Sequence, residues 1–413
     1  MFYIKQKGDT MQISARYQAV FEILSQVFKD EKPADNIINE YVRHRKYIGS
    51  KDRRFIVDTV WDIIRHRMRL EFDAKSKDVR KILLIYLKNE DFDIVADGSE
   101  YGLKSLSKEE KNWLKSLSDD VYPEYVENEC PKWLFEKLNS FALAQALNTT
   151  APADLRVNME NRESVKKRLQ NEGLFFSFTP YSPYGLRSAE RVNLNNCMAY
   201  QEGLVDVQDE SSQIAAILCN VSADERVIDY CAGAGGKSLA IAAINRNEGT
   251  IFAHDANFNR MDAIKDRAAR LGIRNIKIVR KLDVDPYDKF IVDAPCSGSG
   301  TLRRCPDAKF RLNENKIAEL NKEQLSILET AYHNTKKGGH IVYMTCSVLK
   351  EENENVVNTF KQKHTDVDFV NHQKLWEKKL DTPYPCNSEN YVQFSPLTTN
   401  TDGFFFCMMK KED

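Results

Sequence analysis

Two short apolar runs, each closed by a cysteine and a serine, constrain this chain more than anything else in it. Lys289-Phe290-Ile291-Val292-Asp293-Ala294-Pro295-Cys296-Ser297-Gly298-Ser299-Gly300 reads as a strand that stops abruptly in a Pro, a Cys and a glycine-rich turn. The continuous apolar run at 290–292 fits a central parallel strand covered on both faces. Asp293 then puts a carboxylate at the carboxyl end of that strand, where open α/β sheets bind ligands. Gly339-His340-Ile341-Val342-Tyr343-Met344-Thr345-Cys346-Ser347 repeats the pattern. Two such strands in one sheet can present two sulfurs across one cleft.

The rest of the chain supplies the sheet. Strand-like runs at 226–230, 250–254, 276–279, 289–292 and 340–345 alternate with helical segments at 213–219, 237–244, 260–271 and 315–335. Segments 367–370 and 404–409 can close the sheet as a hairpin. Alternation of this kind predicts an α/β fold with a doubly wound sheet over 206–413. At 413 residues the chain is long for one domain. Apolar residues at helical spacing over 11–28, 34–47, 50–70 and 79–87 make 1–95 a small helical bundle. Residues 96–150 read as a linker with connecting helices, one opened by the capping box Ser107-x-x-Glu110 and another over 131–147. Ala151-Pro152 begins a small α+β module over 151–205, with strands at 155–158, 175–179 and 191–194 and a helix at 162–171.

Composition removes several classes. There is no apolar run of about eighteen residues and no basic-then-apolar leader, so a soluble, cytoplasmic protein without a membrane partner is expected. The nine Cys form no C-x-x-C pair, which supports neither a zinc site nor a disulfide framework. Reduced thiols and no metal are expected. Net charge is −1, yet residues 41–70 hold nine Lys/Arg against three Asp. That basic stretch, with Arg53 and Arg54, either tracks phosphates or is a solvated helix face.

The loop after the first strand, Asp229-Tyr230-Cys231-Ala232-Gly233-Ala234-Gly235-Gly236-Lys237-Ser238, lets backbone approach a nucleotide closely. A dinucleotide fingerprint would need glycine at 238, which is Ser. A phosphate-binding P-loop would need glycine at 231, which is Cys. S-adenosylmethionine is the third candidate, with Asp255 placed to take a ribose diol.

The segments beyond the fourth strand decide among these. Asp293-Ala294-Pro295-Cys296-Ser297-Gly298-Ser299-Gly300 with Arg303-Arg304-x-Pro306-Asp307 resembles the Nop/Sun (ribosomal methyltransferase B-like) family of RNA cytosine-5 methyltransferases. So does Tyr343-x-Thr345-Cys346-Ser347 with Glu352-Asn353-Glu354. The 231–237 loop, Gln208-Asp209-Glu210-Ser211-Ser212 and Thr401-Asp402-Gly403-Phe404-Phe405 are similar to further signatures of that family. The likeness covers 151–413. More weakly, Lys51-Asp52-Arg53-Arg54-Phe55-Ile56 resembles a NusB-like RNA-binding domain. The resemblance implies a Rossmann-type class I methyltransferase sheet, preceded by an RNA-recognition-like module and an all-helical NusB-like domain.

It also implies roles. Cys346 is the nucleophile that adds to carbon 6 of cytosine, helped by a helix opening near Lys350-Glu351. Cys296 assists product release, and Asp293 holds the base and borders the cofactor. Cys231, Ala232, Gly233, Ala234, Gly235, Gly236 and Lys237 cradle S-adenosylmethionine, with Asp255 on its ribose and Arg260 beside it. The family has an adenine-contacting Asp after the third strand; here Asp283 is the candidate. Arg303 and Arg304 meet RNA phosphate. Ribosomal RNA is the expected substrate and transfer RNA the alternative, with the protein acting as a monomer. Outside this class, a non-catalytic RNA-binding assembly factor and a P-loop NTPase are the rivals.

Overall fold

The computed structural model describes residues 10–118, 120–190 and 192–413, in two compact units. One comprises the described residues up to Asn148 together with Arg304–Leu312. The other comprises Thr149–Arg303 and Asn313–Asp413. No helix among the described residues is long and apolar enough to cross a membrane.

In the helical unit, the helix Ile13–Val27 buries Tyr17, Val20, Ile23 and Leu24 along one stripe. It meets Ile56, Val60 and Ile63 of the helix Ser50–Arg65 in a common apolar core. The expected single helix over 50–70 is broken at His66 (φ −101°, ψ 16°), and a new helix, Arg67–Ala74, follows. The cause is a cap from far along the chain. Glu129 accepts the N–H groups of Met68 (2.8 Å) and Arg69 (3.1 Å), two donors that a fresh helix start leaves unsatisfied. The expected helix over 131–147 is likewise two, Lys132–Leu138 and Phe141–Leu147. Asn139 takes φ +45° between them and Ser140 caps the second.

The unit therefore runs through 96–148, where the sequence suggested a linker. The Ser107/Glu110 capping box opens the helix Lys108–Ser116 as expected. Segment 304–312 completes this unit. Asp307 accepts the Ala34 N–H at 2.9 Å, and the Phe310 ring lies 4.5 Å from the Arg67 guanidinium. Lys309 is buried and reaches Asn148 Oδ1 at 3.1 Å; burial pulls its pKa down to about 8. Arg53 and Arg54 are exposed, Arg54 standing 3.6 Å from Asp58.

The second unit begins with a small sheet of β1 (Ala153–Val157), β2 (Ser177–Phe178), β3 (Gly185–Ser188) and β4 (Val205–Val207). Its order is β2-β3-β1-β4, with every pairing antiparallel. Helices Arg162–Asn171 and Met198–Gln201 connect β1 to β2 and β3 to β4. This β-α-β-β-α-β order is that of RNA-recognition modules. Strands β3 and β4 were not expected. Of the strand expected at 191–194, residues 192–194 adopt no strand and Arg191 lies outside the described residues.

One face of this sheet buries Leu155, Val157 and Leu186 against Val165 and Leu169 of the helix. The other face is filled by charge. Arg187 donates to both oxygens of Asp154 (2.7 and 2.6 Å), and Arg156 donates to Gln208 at 2.9 Å. Asp206 accepts from Arg267 and Arg270, each at 2.6 Å. Both arginines belong to the helix Asp262–Leu271, so the network fastens the module to the larger domain.

That domain is a sheet of β5 (Arg226–Asp229), β6 (Thr250–Ala253), β7 (Ile276–Ile278), β8 (Tyr287–Asp293), β9 (Thr335–Thr345), β10 (Val367–Phe369), β11 (Val392–Phe394) and β12 (Phe404–Lys411). The order is β10-β12-β9-β8-β5-β6-β7, with β11 beside β12. Strands β7, β6, β5, β8 and β9 run parallel, and β12 enters antiparallel next to β9. The helices Glu210–Leu218 and Gly236–Ile244 cover one face; Glu314–Asn334 and Glu354–Lys363 cover the other. The chain steps outward from β5 to β6 and β7, then from β8 to β9 on the opposite side. The carboxyl ends of β5 and β8 therefore flank the switch point where such sheets bind ligands.

Asp206→Ala leaves the arginines it holds without their carboxylate in a buried setting. Breaking a buried pair from one side costs about 3–5 kcal/mol, and denaturant unfolding should show a loss of that size.

Candidate active site

Strand β5 hands the chain to a glycine loop whose geometry is set by two left-handed residues, Gly233 (φ +52°) and Gly235 (φ +79°). A Cβ at Gly235 would lie 2.7 Å from Ile264, so glycine is what allows the helix Asp262–Leu271 to pack this closely on the loop. A Cβ at Gly236 would meet nothing within 4 Å, so the loop opens to free space there. Asp255, just past β6 and buried, accepts the Gly233 N–H at 2.9 Å and the Asn257 N–H at 2.8 Å. Arg260 stands 3.6 Å from the same carboxylate. Cys231 is half-buried, and burial pushes its thiol pKa up.

Behind the loop lies a residue that sequence reasoning passed over. Asp229 is wholly buried at the end of β5 and accepts from the Ser238 hydroxyl at 2.6 Å. Its other oxygen, Oδ1, has no hydrogen-bond partner among the described residues. Burial first, and the charge of Asp293 second among the causes that raise it, bring its pKa up to about 7. A carboxylate closing the strand before a glycine loop was the signal that could have found it. Lys237, expected on the cofactor, instead gives its ammonium to Asp293 at 3.1 Å.

Asp293 ends β8, and Cys296 follows in the next turn; Cys346 follows β9 directly. The Sγ atoms of Cys296 and Cys346 are 3.3 Å apart. That is hydrogen-bond contact between two free thiols, well beyond a disulfide bond length. The hydrogen bond to Cys346, then burial, hold the Cys296 pKa well above the ordinary thiol value. The helix expected to open near Lys350 begins only at Glu354, so Cys346 has no helix terminus directly behind it.

A buried carboxylate sets this geometry. Glu352 accepts the Ser297 N–H at 2.8 Å, the Ser297 hydroxyl at 2.5 Å and the Ser347 hydroxyl at 2.6 Å. It clamps the residue after each cysteine to the same point. Gln324, buried on the helix Glu314–Asn334, adds bonds to Pro295 O (2.9 Å) and Glu352 (3.3 Å). Asn353 joins Thr345 (2.6 Å) to the Ser347 carbonyl (3.0 Å). No sequence signal marked Gln324.

Two expected residues lie elsewhere. Asp283 pairs with Arg226 at the amino end of β5, the end away from the glycine loop. The loop from β7 back to β8 carries it there, so it does not serve the cofactor cleft. Arg303 is buried, with its guanidinium 3.4 Å from both Asp402 and Asn400, and does not face solvent where phosphate would lie. It ties the loop after Cys296 to the turn before β12. Arg304 is half-buried at the start of the segment that belongs to the helical unit. Among the described residues no group of three or more His, Cys, Asp or Glu could hold a metal ion.

A glycine loop after β5, an acid after β6 and the strand order described above define a Rossmann-type methyltransferase of the S-adenosylmethionine-dependent class. Residues 216–410 match the family model described as 16S rRNA methyltransferase RsmB/F, and the chain belongs to that family. Among curated relatives, a probable ribosomal RNA small subunit methyltransferase B of Bacillus subtilis is 37% identical over 221 residues, covering 52% of this chain and 49% of the relative. The chain thus spans about half the length of that relative. A Synechocystis protein of the same description is 28% identical over 458 residues, covering 97% of this chain and all of the relative. Among solved structures, PH0851 superposes with a TM-score of 0.74 at 24% identity, over 97% of this chain and 98% of that one, which shows the fold.

Two outcomes follow from the site's electrostatics. Glu352→Gln leaves buried hydroxyl and amide donors poorly matched and should cost about 1–3 kcal/mol. Iodoacetamide mapping by mass spectrometry should find both Cys296 and Cys346 alkylated faster than in the parent. Asp229 has its pKa raised on folding, so its ionisation opposes the folded state. Stability should therefore fall as pH rises from about 4, where an unfolded Asp titrates, to about 7. Asp229→Asn should flatten that part of a melting-temperature profile recorded without cofactor.

Proposed function

We propose that this chain methylates carbon 5 of a cytosine in RNA, with small-subunit ribosomal RNA as substrate and S-adenosylmethionine as methyl donor. The observation that carries this reading is the 3.3 Å contact of Cys296 and Cys346 beside Asp293, at the switch point of the sheet. Family membership supports the donor, and the relatives' descriptions support the ribosomal substrate.

The residues present fit the cofactor. The loop opens to free space at Gly236, Asp255 offers a buried carboxylate to a ribose, and the unpartnered Asp229 Oδ1 can take an ammonium. Bound S-adenosylmethionine supplies an electrophilic methyl group.

Carbon 5 of cytosine is too weak a nucleophile to take that methyl unaided. The thiolate of Cys346 adds to carbon 6, pushing an electron pair through the ring so that carbon 5 becomes enamine-like. Asp293 holds the ring through a proton shared with nitrogen 3, where that charge collects, and Lys237 keeps its carboxyl group in place. After transfer, carbon 5 must lose its proton for the Cys346–carbon 6 bond to break. Cys296, 3.3 Å from Cys346, gives up its own proton to solvent and then takes the carbon 5 proton as Cys346 leaves as a thiolate. The target base must leave its stack to reach the sulfurs, at about a few kcal/mol that is least in a loop.

The two thiols should behave oppositely when removed. Cys346→Ala should abolish methyl transfer and form no covalent RNA–protein species. Cys296→Ala should still attack and methylate but release slowly, so a retarded band accumulates on a denaturing gel with S-adenosylmethionine and the ribosomal transcript. A retarded band from Cys346→Ala instead would make Cys296 the nucleophile.

A further inference from the structure

The outer edge of the four-stranded module carries a feature that the methylation chemistry does not use. Phe175 is 70% exposed and Phe178 37% exposed, on and just before the edge strand β2, while Phe176 between them turns into the module core. Over the Phe178 ring lie the Arg162 guanidinium at 4.3 Å and the Lys166 ammonium at 4.4 Å. Lys167 is exposed on the same helix. Single exposed apolar residues need no explanation. Two exposed rings on one edge, one of them under two cations and with a third on the same helix, do.

Chemistry separates the occupants of such an edge. An apolar protein surface would bury the cations at a desolvation cost with nothing to pair them. A single nucleic-acid strand satisfies both, since bases stack on rings while phosphates meet the cations. Modules of this topology ordinarily present the open face of the sheet to RNA. Here that face is closed by Asp154, Arg156, Arg187 and Asp206, all buried or nearly so. The β2 edge remains accessible, and it is held firmly. Glu210 accepts the N–H groups of Tyr181 (2.6 Å) and Ser182 (2.8 Å), and Arg162 donates to Ser182 O at 2.7 Å. The Tyr181 ring meets Trp376 of the larger domain edge-on, with centroids 5.9 Å apart.

We propose that Phe175, Phe178, Arg162, Lys166 and Lys167 form a binding site for a single-stranded segment of the RNA substrate. One or two bases stack on the rings and the lysines meet the backbone. The assignment rests on RNA being the substrate.

The test uses the full chain, with fluorescently labelled oligouridylate and a labelled RNA duplex as probes and methylation of the ribosomal transcript as a parallel readout. Phe175→Ala/Phe178→Ala should weaken oligouridylate binding about ten-fold, the size of a lost base–aromatic stack, and leave duplex binding unchanged. Lys166→Gln/Lys167→Gln should lower the salt slope of single-strand binding by about 0.7 for each phosphate that is no longer neutralised. S-adenosylmethionine affinity by calorimetry should not move in either variant. Phe178→Trp should restore binding, which a purely structural role of the ring would not predict. Should the double Ala variant melt early, Phe175→Ser alone serves, because that ring is mostly in solvent. Parental single-strand binding by the phenylalanine variants, with the transcript still methylated by the parent, overturns this site and leaves the RNA reading standing. A parent that neither binds nor methylates any RNA overturns both.

Discussion

Two backbone loops leave adjacent parallel strands, and their amide and hydroxyl donors need an acceptor in a place closed to water. Glu352 is that acceptor. Because it accepts from Ser297 and Ser347, each next to a cysteine, it ties both cysteine loops to one carboxylate. Such a network is worth most when every member is satisfied. Gln324 and Asn353 complete it from two different elements, a helix and the turn after β9. The sheet sets where the two strands end, and the carboxylate sets how their ends face each other.

Backbone proximity fixes the same loops from the other side. The Gly403 N–H donates to Gly300 O at 2.8 Å, and a Cβ on Gly300 would lie 2.0 Å from Gly403 O. Two glycines are therefore required where the loop after Cys296 crosses the turn before β12. The Arg303–Asp402 pair lies directly beside this crossing. A run of residues that resembles a recognition motif is here an internal fastening. The small module has a like fastening, where Arg156 and Arg187 donate to the Gln208 amide and the Asp154 carboxylate.

Elements whose identity depends on local pattern were legible. The five parallel strands of the sheet, the helix Arg162–Asn171 and the Ser107 capping box appear where periodicity and turn chemistry put them. The two cysteine-terminated strands were legible because an apolar run ending in a turn has few other uses. What was not legible depends on distant partners. The break at His66 needs Glu129, and the displacement of Asp283 needs Arg226. β3 and β4 are short and gain their strand character from pairing with β1. Burial of Arg303 could not be read from a sequence in which charged residues normally face water.

Segment 304–312 belongs to the helical unit although it is written in the middle of the second one. Synthesis runs from the amino end at ~5–20 residues per second, so the bundle waits on the order of ten seconds for residues 149–303 before its last piece emerges. During that interval the Ala34 amide lacks the Asp307 carboxylate, and Arg67 lacks the Phe310 ring. The helical unit is thus completed only after most of the second unit's first segment has been made. Its completion is timed by the growth of the catalytic sheet, and a nascent chain stalled before residue 304 would carry an unfinished bundle for chaperones or proteases to find.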